Sequence, residues 1–203
     1  MSIVVCNNNS LSAITSIPAG ISGGSLNLIS TQTASSSSTI SFTSGIDSTY
    51  KEYIFKFYNI HPSGTADDIA FTFNGSADSG SNYNVTKTTT YFNALHAEND
   101  SAALLEYVAT ADLAQSTDFT RLMQNLETTS DESGSGFLHL FDPSSTTFVK
   151  HFIASTNFYH NGDYSVNAFP AGYFNTTSAI DAIQFKMTSG NIDAGDICLY
   201  GIN

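Results

Sequence analysis

The segment Lys51–Ile60 constrains the fold more than any other part of this chain. Tyr53, Phe55 and Phe57 alternate with residues that are free to face the other way, which places the three rings on one side of an extended strand. Aromatic residues with this period of two are typical of a half-buried β-strand. The run stops near Pro62, because proline cannot continue a central ladder. The segment therefore predicts a core strand.

The same pattern recurs to the C-terminus, with Gly, Ser, Asn or Pro between the segments. Such spacing is typical of a sandwich or jelly roll. We therefore predict an all-β fold, an antiparallel β-sandwich that is jelly-roll-like. The predicted strands are Leu26–Thr33, Thr39–Thr43, Tyr50–Ile60, Asp68–Asn74, Tyr83–Phe92, Phe137–Phe141, Thr147–Thr156, Tyr164–Phe174, Ile180–Thr188 and Asp196–Ile202.

The exception to the strand pattern is Ser101–Glu127. After Asp118, the apolar residues recur at i, i+3, i+4 and i+7, which predicts one short helix with a plausible cap. The first part, Ser101–Thr110, is ambiguous between helix and strand, because Ala-Ala-Leu-Leu-Glu favours helix and Tyr-Val-Ala-Thr favours strand. The helical positions are Phe119, Leu122, Met123 and Leu126.

The length of 203 residues suits a single all-β domain, which we place at 26–203. Residues 1–25 are expected to form an extended N-terminal arm, since short apolar clusters alternate there with Asn, Gly and Ser. An extended terminus usually stays ordered only when something holds it, so we expect the arm to bind another subunit. Its candidate partner-binding residues are Ile3, Val4, Val5, Leu11, Ile14 and Ile17.

The charge balance argues against nucleic acid as a partner. Eighteen acidic residues stand against six basic ones, and the net charge is −12. Nucleic-acid binding depends largely on clustered Lys and Arg that neutralise phosphates, and no such cluster is present in the sequence. No apolar run approaches the length of a bilayer span, and the first basic residue is Lys51, so we expect neither membrane insertion nor a secretory signal.

Two motifs formally resemble sites for chemistry. Gly20–Gly24 satisfies the pattern of a nucleophile elbow, but a strand-like Leu-Asn-Leu-Ile follows it where a helix is required, so a turn is expected. The loops Asn74–Asn82 and Asn191–Asp196 are rich in oxygen ligands for calcium. Asp78 is the only carboxylate of the first loop, which favours a hairpin turn there.

Other candidate ligands and acids are equally sparse. The five histidines lack the i, i+4 spacing of helical zinc sites, although His139 and His151 could meet on paired strands. Adjacent carboxylates such as Asp67 and Asp68 would point to opposite faces of an extended chain and make poor acid/base pairs. We therefore expect no catalytic residue, metal or cofactor. Cys6 and Cys198 are expected to be free thiols rather than a disulfide.

Tyrosines are the remaining candidates for ligand contact. Most should complete the core, because the chain has fifteen Phe and no Trp. Tyr159 and Tyr164 flank the turn His-Asn-Gly-Asp and are the better candidates to face a ligand, since tyrosine can stack on a sugar ring.

A resemblance to a known family is carried by several separate segments. They are Leu28–Phe57 with Asn59–Pro62, Phe71–Gly75, Asp78–Asn84, and Gly172–Ile183 leading to Leu199–Ile202. These segments resemble a family of tailed-phage virion proteins that is abundant in marine viruses. The resemblance covers most of 26–202 and is weakest in the arm and in Ser101–Glu127, which we expect to determine the attachment partner.

The resemblance implies a non-enzymatic structural protein of the virion, assembled in the host cytoplasm and anchored to capsid or tail as a decoration, cement or appendage protein. A homo-oligomer is expected, with a trimer as the working guess. The alternative is a receptor-binding tail module that recognises host polysaccharide. A polysaccharide depolymerase is a third reading and the weakest of the three, because it would need two facing carboxylates.

Overall fold

The computed structural model describes residues 25–202, which form twelve strands. The candidate arm residues, Cys6 and the Gly20–Gly24 motif lie outside this range. The strands are β1 (Leu26–Thr33), β2 (Ile40–Phe42), β3 (Glu52–Pro62), β4 (Phe71–Ser76), β5 (Lys87–Ala97), β6 (Ala103–Tyr107), β7 (Thr120–Met123), β8 (Gly134–Phe141), β9 (Lys150–His160), β10 (Tyr164–Phe174), β11 (Ala182–Met187) and β12 (Ile192–Ile202).

Two antiparallel sheets confirm the predicted β-sandwich. The large sheet has eight strands in the order β1-β12-β3-β8-β9-β10-β5-β6, and the small sheet has four in the order β2-β11-β4-β7. Without β1, β12 and the β8–β9 hairpin, the remaining strands keep jelly-roll order. When the remaining eight strands are counted along the chain, the small sheet β2-β11-β4-β7 contains the first, eighth, third and sixth. The second, seventh, fourth and fifth follow one another in the large sheet as β3, β10, β5 and β6, which is the order of a jelly roll. The hairpin is inserted between β3 and β10 and widens the large sheet.

Phenylalanine rings from both sheets fill the space between them. Tyr53, Phe55 and Phe57 of β3 are fully buried, as their alternation predicts. The Phe185 ring of β11 lies at the centre of the cluster, with its centroid 5.2 Å from that of Phe55 and 5.6 Å from that of Phe71. Edge-to-face and offset pairs of this kind contribute beyond their buried area. These contacts hold the two sheets together.

The predicted helix after Asp118 is wrong. Thr120–Met123 form strand β7, which pairs with β4, and the only helical element in residues 25–202 is a three-residue 3-10 turn at Ala109–Ala111. A register shift in the β4–β7 pairing leaves both Leu122 and Met123 buried, which produces the spacing that imitates a helix. Phe119 instead lies under the Lys186 ammonium, 4.1 Å from the nitrogen to the ring centroid.

The ambiguous segment Ser101–Thr110 contains strand β6 and the start of the 3-10 turn. β6 pairs with β5 and forms an edge of the large sheet. All five of its residues are exposed, so the helix-favouring Ala-Leu-Leu sequence gains no burial from forming a strand here. The pairing with β5 decides the conformation, which shows tertiary context overriding local propensity.

Candidate docking face

Both sides of the large sheet carry aromatic and aliphatic side chains. Tyr91, Phe152 and Phe174 point into the core, and the residues between them on the same strands point away from the small sheet. No other segment of residues 25–202 forms a second layer over this outward side. The outward aromatic and aliphatic residues, here called the aromatic face, are Phe92, Leu105, Tyr107, Phe137, Phe141, Ile153, Phe169 and Tyr173.

Strand register brings these side chains into contact. Phe92 of β5 pairs directly with Phe169 of β10, and their rings stack with centroids 4.9 Å apart and planes 17° apart. Phe137 meets the ring of His139 edge-on at 5.1 Å, and His151 lies 5.9 Å from Tyr173. Ile153, in the middle of the face, is 53% exposed. The contacts fix the rings in place while leaving them open to solvent.

Formal charge is missing from this surface. The outward residues of β5, β6, β8, β9 and β10 include no Asp, Glu, Lys or Arg, although the chain has a net charge of −12. Two histidines, His139 and His151, are the nearest approach to charge in its centre. A contiguous uncharged aromatic surface on an acidic protein is where a partner could approach with little desolvation or repulsion.

Polar groups and a groove border the face. The Glu52 carboxylate of β3 contacts Nδ1 of His139, and Lys56 of β3 lies over the ring of Tyr200, 5.3 Å from the nitrogen to the centroid. At the end of the β8–β9 hairpin, a groove of about 560 Å³ is lined by Phe141, Phe148 and other residues of that turn. The aromatic surface thus continues into a concave apolar end.

The outer side of the small sheet is covered along strand β4. Asn74 of β4 points away from the core, yet it is fully buried. Its amide donates hydrogen bonds to the carbonyls of Tyr83 at 2.8 Å and Thr117 at 2.9 Å. Its Oδ1 accepts hydrogen bonds from the Gly75 N–H and from Nζ of Lys87, both at 2.8 Å. Asn74 therefore fastens two loops over β4 and links β4 to Lys87 of the large sheet. We call this outer side of the small sheet, centred on β4, the covered face.

Lys87 is the most unusual titratable group of this cluster. Its Nζ also donates to the Val85 carbonyl at 3.0 Å, and the residue is fully buried with no carboxylate within ion-pair distance among the described residues. Burial lowers the pKa of Lys87 to about 7, with the charge of Asp118 acting weakly in the opposite direction. The amine therefore donates hydrogen bonds inside the protein. Because its pKa is about 7, the neutral and protonated forms of the buried amine have similar free energies at neutral pH.

Tyr159 and Tyr164 lie at the β9–β10 turn but on opposite sides of the sheet. Tyr159 points outward, and its hydroxyl donates to Asp163 at 2.7 Å, which raises the pKa of the phenol. Tyr164 is partly buried, packs against the core and meets the His160 ring edge-on at 5.5 Å. The two rings do not form one stacking platform, so a sugar would contact them separately.

The candidate calcium loop is held by internal hydrogen bonds. Asp78 accepts hydrogen bonds from the Ser76 hydroxyl and from the backbone and side-chain amides of Asn82, which lowers the pKa of Asp78 to about 2. Asp181 accepts one from the Ser79 N–H at 3.0 Å. Both carboxylates thus stabilise a turn. Within residues 25–202, no group of three or more His, Cys, Asp and Glu is placed to hold a metal ion.

The remaining carboxylates and the cysteine have structural partners. Asp68 forms a bidentate salt bridge with Arg121, with the two guanidinium nitrogens 2.7 and 2.8 Å from the two carboxylate oxygens. These hydrogen bonds lower the pKa of Asp68. Its neighbour Asp67 is exposed. The Cys198 sulfur accepts a hydrogen bond from Thr31 at 3.3 Å and forms no disulfide within the described residues. None of these groups lies on the aromatic face.

The sequence analysis did not identify the aromatic face, although the sequence contains a signal for it. In Phe137–Phe141 large apolar or aromatic residues occupy successive positions, so both sides of β8 carry them. A strand with one side in water would alternate with polar residues. The same double-sided pattern occurs at Phe152 and Ile153 of β9. Double-sided strands in an antiparallel sheet indicate a second buried surface.

Among residues 25–202, no helix is long and apolar enough to cross a membrane. Comparison with protein-family models, with curated proteins and with solved structures finds no match to this chain.

Proposed function

We propose that this chain is a non-enzymatic structural protein of a tailed-phage virion, held on the capsid or tail as a decoration, cement or appendage protein. The aromatic face carries the proposal. It is five strands wide, about 24 Å, and about 17 Å along the strands, a footprint of about 400 Å² that contains polar as well as aromatic side chains. The largest apolar patch of a typical monomer is of this order and is often functional, so the face supports a contact surface by its stacked rings and its lack of charge rather than by its size.

The partner of the face should be an uncharged apolar surface of a neighbouring virion protein. A basic partner would be drawn to the eighteen acidic residues, which lie elsewhere than in the centre of the face. The arm supplies a second attachment, through Ile3, Val4, Val5, Leu11, Ile14 and Ile17. When several copies are arranged around a symmetry axis, their individually weak contacts act together and the attachment becomes stable. Placement in the virion follows from the sequence resemblance described above.

The test uses particles of the phage that carries this gene. Quantitative mass spectrometry should count copies of the wild-type chain per purified particle. The double variant Phe92→Ser with Phe169→Ser should reduce the count at least tenfold, because it replaces the stacked pair at the middle of the face.

The matched control is Phe119→Ser, which removes an aromatic ring from the covered face. Occupancy should stay within twofold of wild type for this variant. Absence of the wild-type chain from purified particles would refute the virion assignment, and equal loss in both variants would refute the role of the aromatic face.

The alternative function, recognition of host polysaccharide, stays a prediction. Its candidate residues, Tyr159 and Tyr164, point to opposite sides of the sheet, and Tyr164 contributes to packing. A glycan array with the full chain tests it directly.

A further inference from the structure

Strand β6 presents an unprotected edge at one end of the large sheet. Natural proteins usually shield such edges with lysine, proline, a bulge or a covering loop, because free backbone groups can pair with another chain. β6 reads Ala-Leu-Leu-Glu-Tyr, with Glu106 as its one charged residue and no lysine or proline. Leu104 on one side is 55% exposed and Leu105 on the other side is 76% exposed. Within residues 25–202, no strand pairs with the outer edge of β6, and both of its faces are exposed.

The hydrogen-bond register identifies the free backbone groups. Val108 N–H donates to the Tyr91 carbonyl at 3.0 Å, and Ala97 N–H donates to the Ala102 carbonyl at 2.8 Å, so these pairs are hydrogen-bonded. Bonded and non-bonded pairs alternate along an antiparallel ladder. Ala103, Leu105 and Tyr107 then fall at the non-bonded positions, and their N–H and C=O groups point away from β5. An added strand would find three residues with free donors and acceptors.

We propose that the β6 edge of one copy of this chain is completed by the N-terminal arm of a second copy, with Ile3–Val5 added as a further strand. The proposal rests on the proposed function, in which the arm is an attachment element, and it names the partner of the arm as the next copy.

The composition of the arm fits this edge. Ile3, Val4 and Val5 are consecutive β-branched residues, which favour strand conformation. Residues 1–24 contain no Asp, Glu, Lys, Arg or His, so they add no charge to a protein that already repels its own copies. Because Leu105 and Tyr107 belong to the aromatic face, an added apolar strand would extend that face by one row. Recognition would combine main-chain pairing with apolar side chains, as in other cases of strand addition.

The position of the arm favours a second copy over the same chain. Residue 24 precedes β1, and β1 and β6 are the two opposite edges of the large sheet. Seven strand spacings separate them, about 34 Å, and a chain would cross that distance at right angles to the strands. A chain that instead continues β1 in extended form runs parallel to the strand axes, which is the direction that pairing with another sheet edge requires. It could span up to about 80 Å over 24 residues.

This arrangement is head-to-tail, so each copy gives one arm and receives one. Such heterologous contacts close into rings when the rotation between copies allows it. Reciprocal exchange of arms between two copies is the smallest closed arrangement of this type, and the expected trimer is the next. Every copy would then have its β6 edge covered, which removes the aggregation hazard of an open apolar edge.

Disulfide trapping in the full chain tests the proposal, because the arm carries a native thiol at Cys6. In a Cys198→Ser background, single cysteines are introduced at the three outward positions, Ala103→Cys, Leu105→Cys and Tyr107→Cys. The control is Phe148→Cys, which is 71% exposed and lies in the β8–β9 turn. Equal amounts of ¹⁴N- and ¹⁵N-labelled protein are mixed in denaturant, refolded together, oxidised mildly and mapped by mass spectrometry.

At least one β6 position should cross-link to Cys6 at least tenfold more than the control, with mixed-isotope peptides showing that the link joins two copies. Cross-links with no isotope mixing would place the arm on its own chain and overturn the proposal. So would cross-linking at the level of the control. Neither result depends on whether the protein is found in particles, so failure here is distinguishable from failure of the virion assignment.

A second measurement uses proline. Leu105→Pro removes an outward N–H while leaving the β5 ladder intact, and Leu105→Ala removes the side chain but keeps the N–H. The mass from light scattering should fall to that of a monomer for Leu105→Pro and for deletion of residues 1–24, and stay oligomeric for Leu105→Ala. A monomeric wild type, or an oligomer that survives Leu105→Pro, would overturn the proposal.

Discussion

The covered face and the aromatic face differ in whether loops of the chain bury the outward side chains of the sheet. On the small sheet, Thr72, Asn74 and Ser76 point outward but are buried, because loops lie over them and bond to Asn74. On the large sheet, outward residues such as Ile153 stay exposed. Within residues 25–202, loops therefore cover the outer side of β4, whereas no segment covers the aromatic face. Polar outward residues are thus buried by the chain's own loops, while the outward rings of the large sheet remain accessible to a partner.

The largest expected effect tests how strongly the covered face depends on its central amide. Asn74→Ala removes four hydrogen bonds at a fully buried position and leaves the Lys87 amine with the Val85 carbonyl as its remaining partner, so we expect the free energy of unfolding to fall by about 3–5 kcal/mol. The matched control is Asn157→Ala on the outward side of β9. Asn157 also donates two hydrogen bonds, at 3.1 and 3.0 Å, but is exposed, and its loss should cost about 1 kcal/mol or less. Urea denaturation of both variants measures the contrast, and equal losses would contradict it.

The next effect, smaller for each pH unit, should appear in the pH dependence of stability. The pKa of Lys87 is about 7 in the folded chain and near 10.5 in the unfolded chain. Between these values the unfolded chain binds more protons, so the contribution of Lys87 to the free energy of unfolding rises with pH from about 7 to about 10.5. Lys87→Met should remove a slope of up to about 1.4 kcal/mol per pH unit in that window.

The difference in stability between wild type and Lys87→Met, measured at several pH values, reports this slope. Lys51→Met is the control, since Lys51 is exposed and pairs only with Asp142 at the surface. A wild-type curve parallel to that of Lys87→Met between pH 7 and pH 10 would show that the amine keeps its proton in the folded state.

The smallest effect is the difference in stability between substitutions of two tyrosines that lie on opposite sides of the large sheet at the β9–β10 turn. Tyr164→Ala should lower the free energy of unfolding by about 1–2 kcal/mol because the ring packs on the core, and Tyr159→Ala by about 0.5 kcal/mol or less. Thermal unfolding of the two variants is sufficient to rank them. The opposite order would mean that the outward side of the sheet contributes to the stability of the isolated chain.

The sequence allowed the sandwich to be predicted because core strands such as β3 alternate clearly, and Leu26–Thr33 and Tyr164–Phe174 have the predicted bounds. The helix after Asp118 failed because β7 is short and its pairing shifts register at β4, which no local pattern reports. The covered face could not be foreseen either. Asn74 meets Thr117 only after the loops fold back, and a buried Lys87 reads in sequence as an ordinary surface residue. The aromatic face was visible in Phe137–Phe141 but needed the sheet order to show its extent.

The pairing of Leu26 with Ile202 places both ends of the described chain on neighbouring strands at one corner of the large sheet. Domains whose ends meet in this way tolerate permuted connectivity and fused cargo. A fluorescent reporter attached after Ile202 would therefore sit beside the root of the arm. Its emission could follow the engagement of that arm in real time, without any label inside the sandwich.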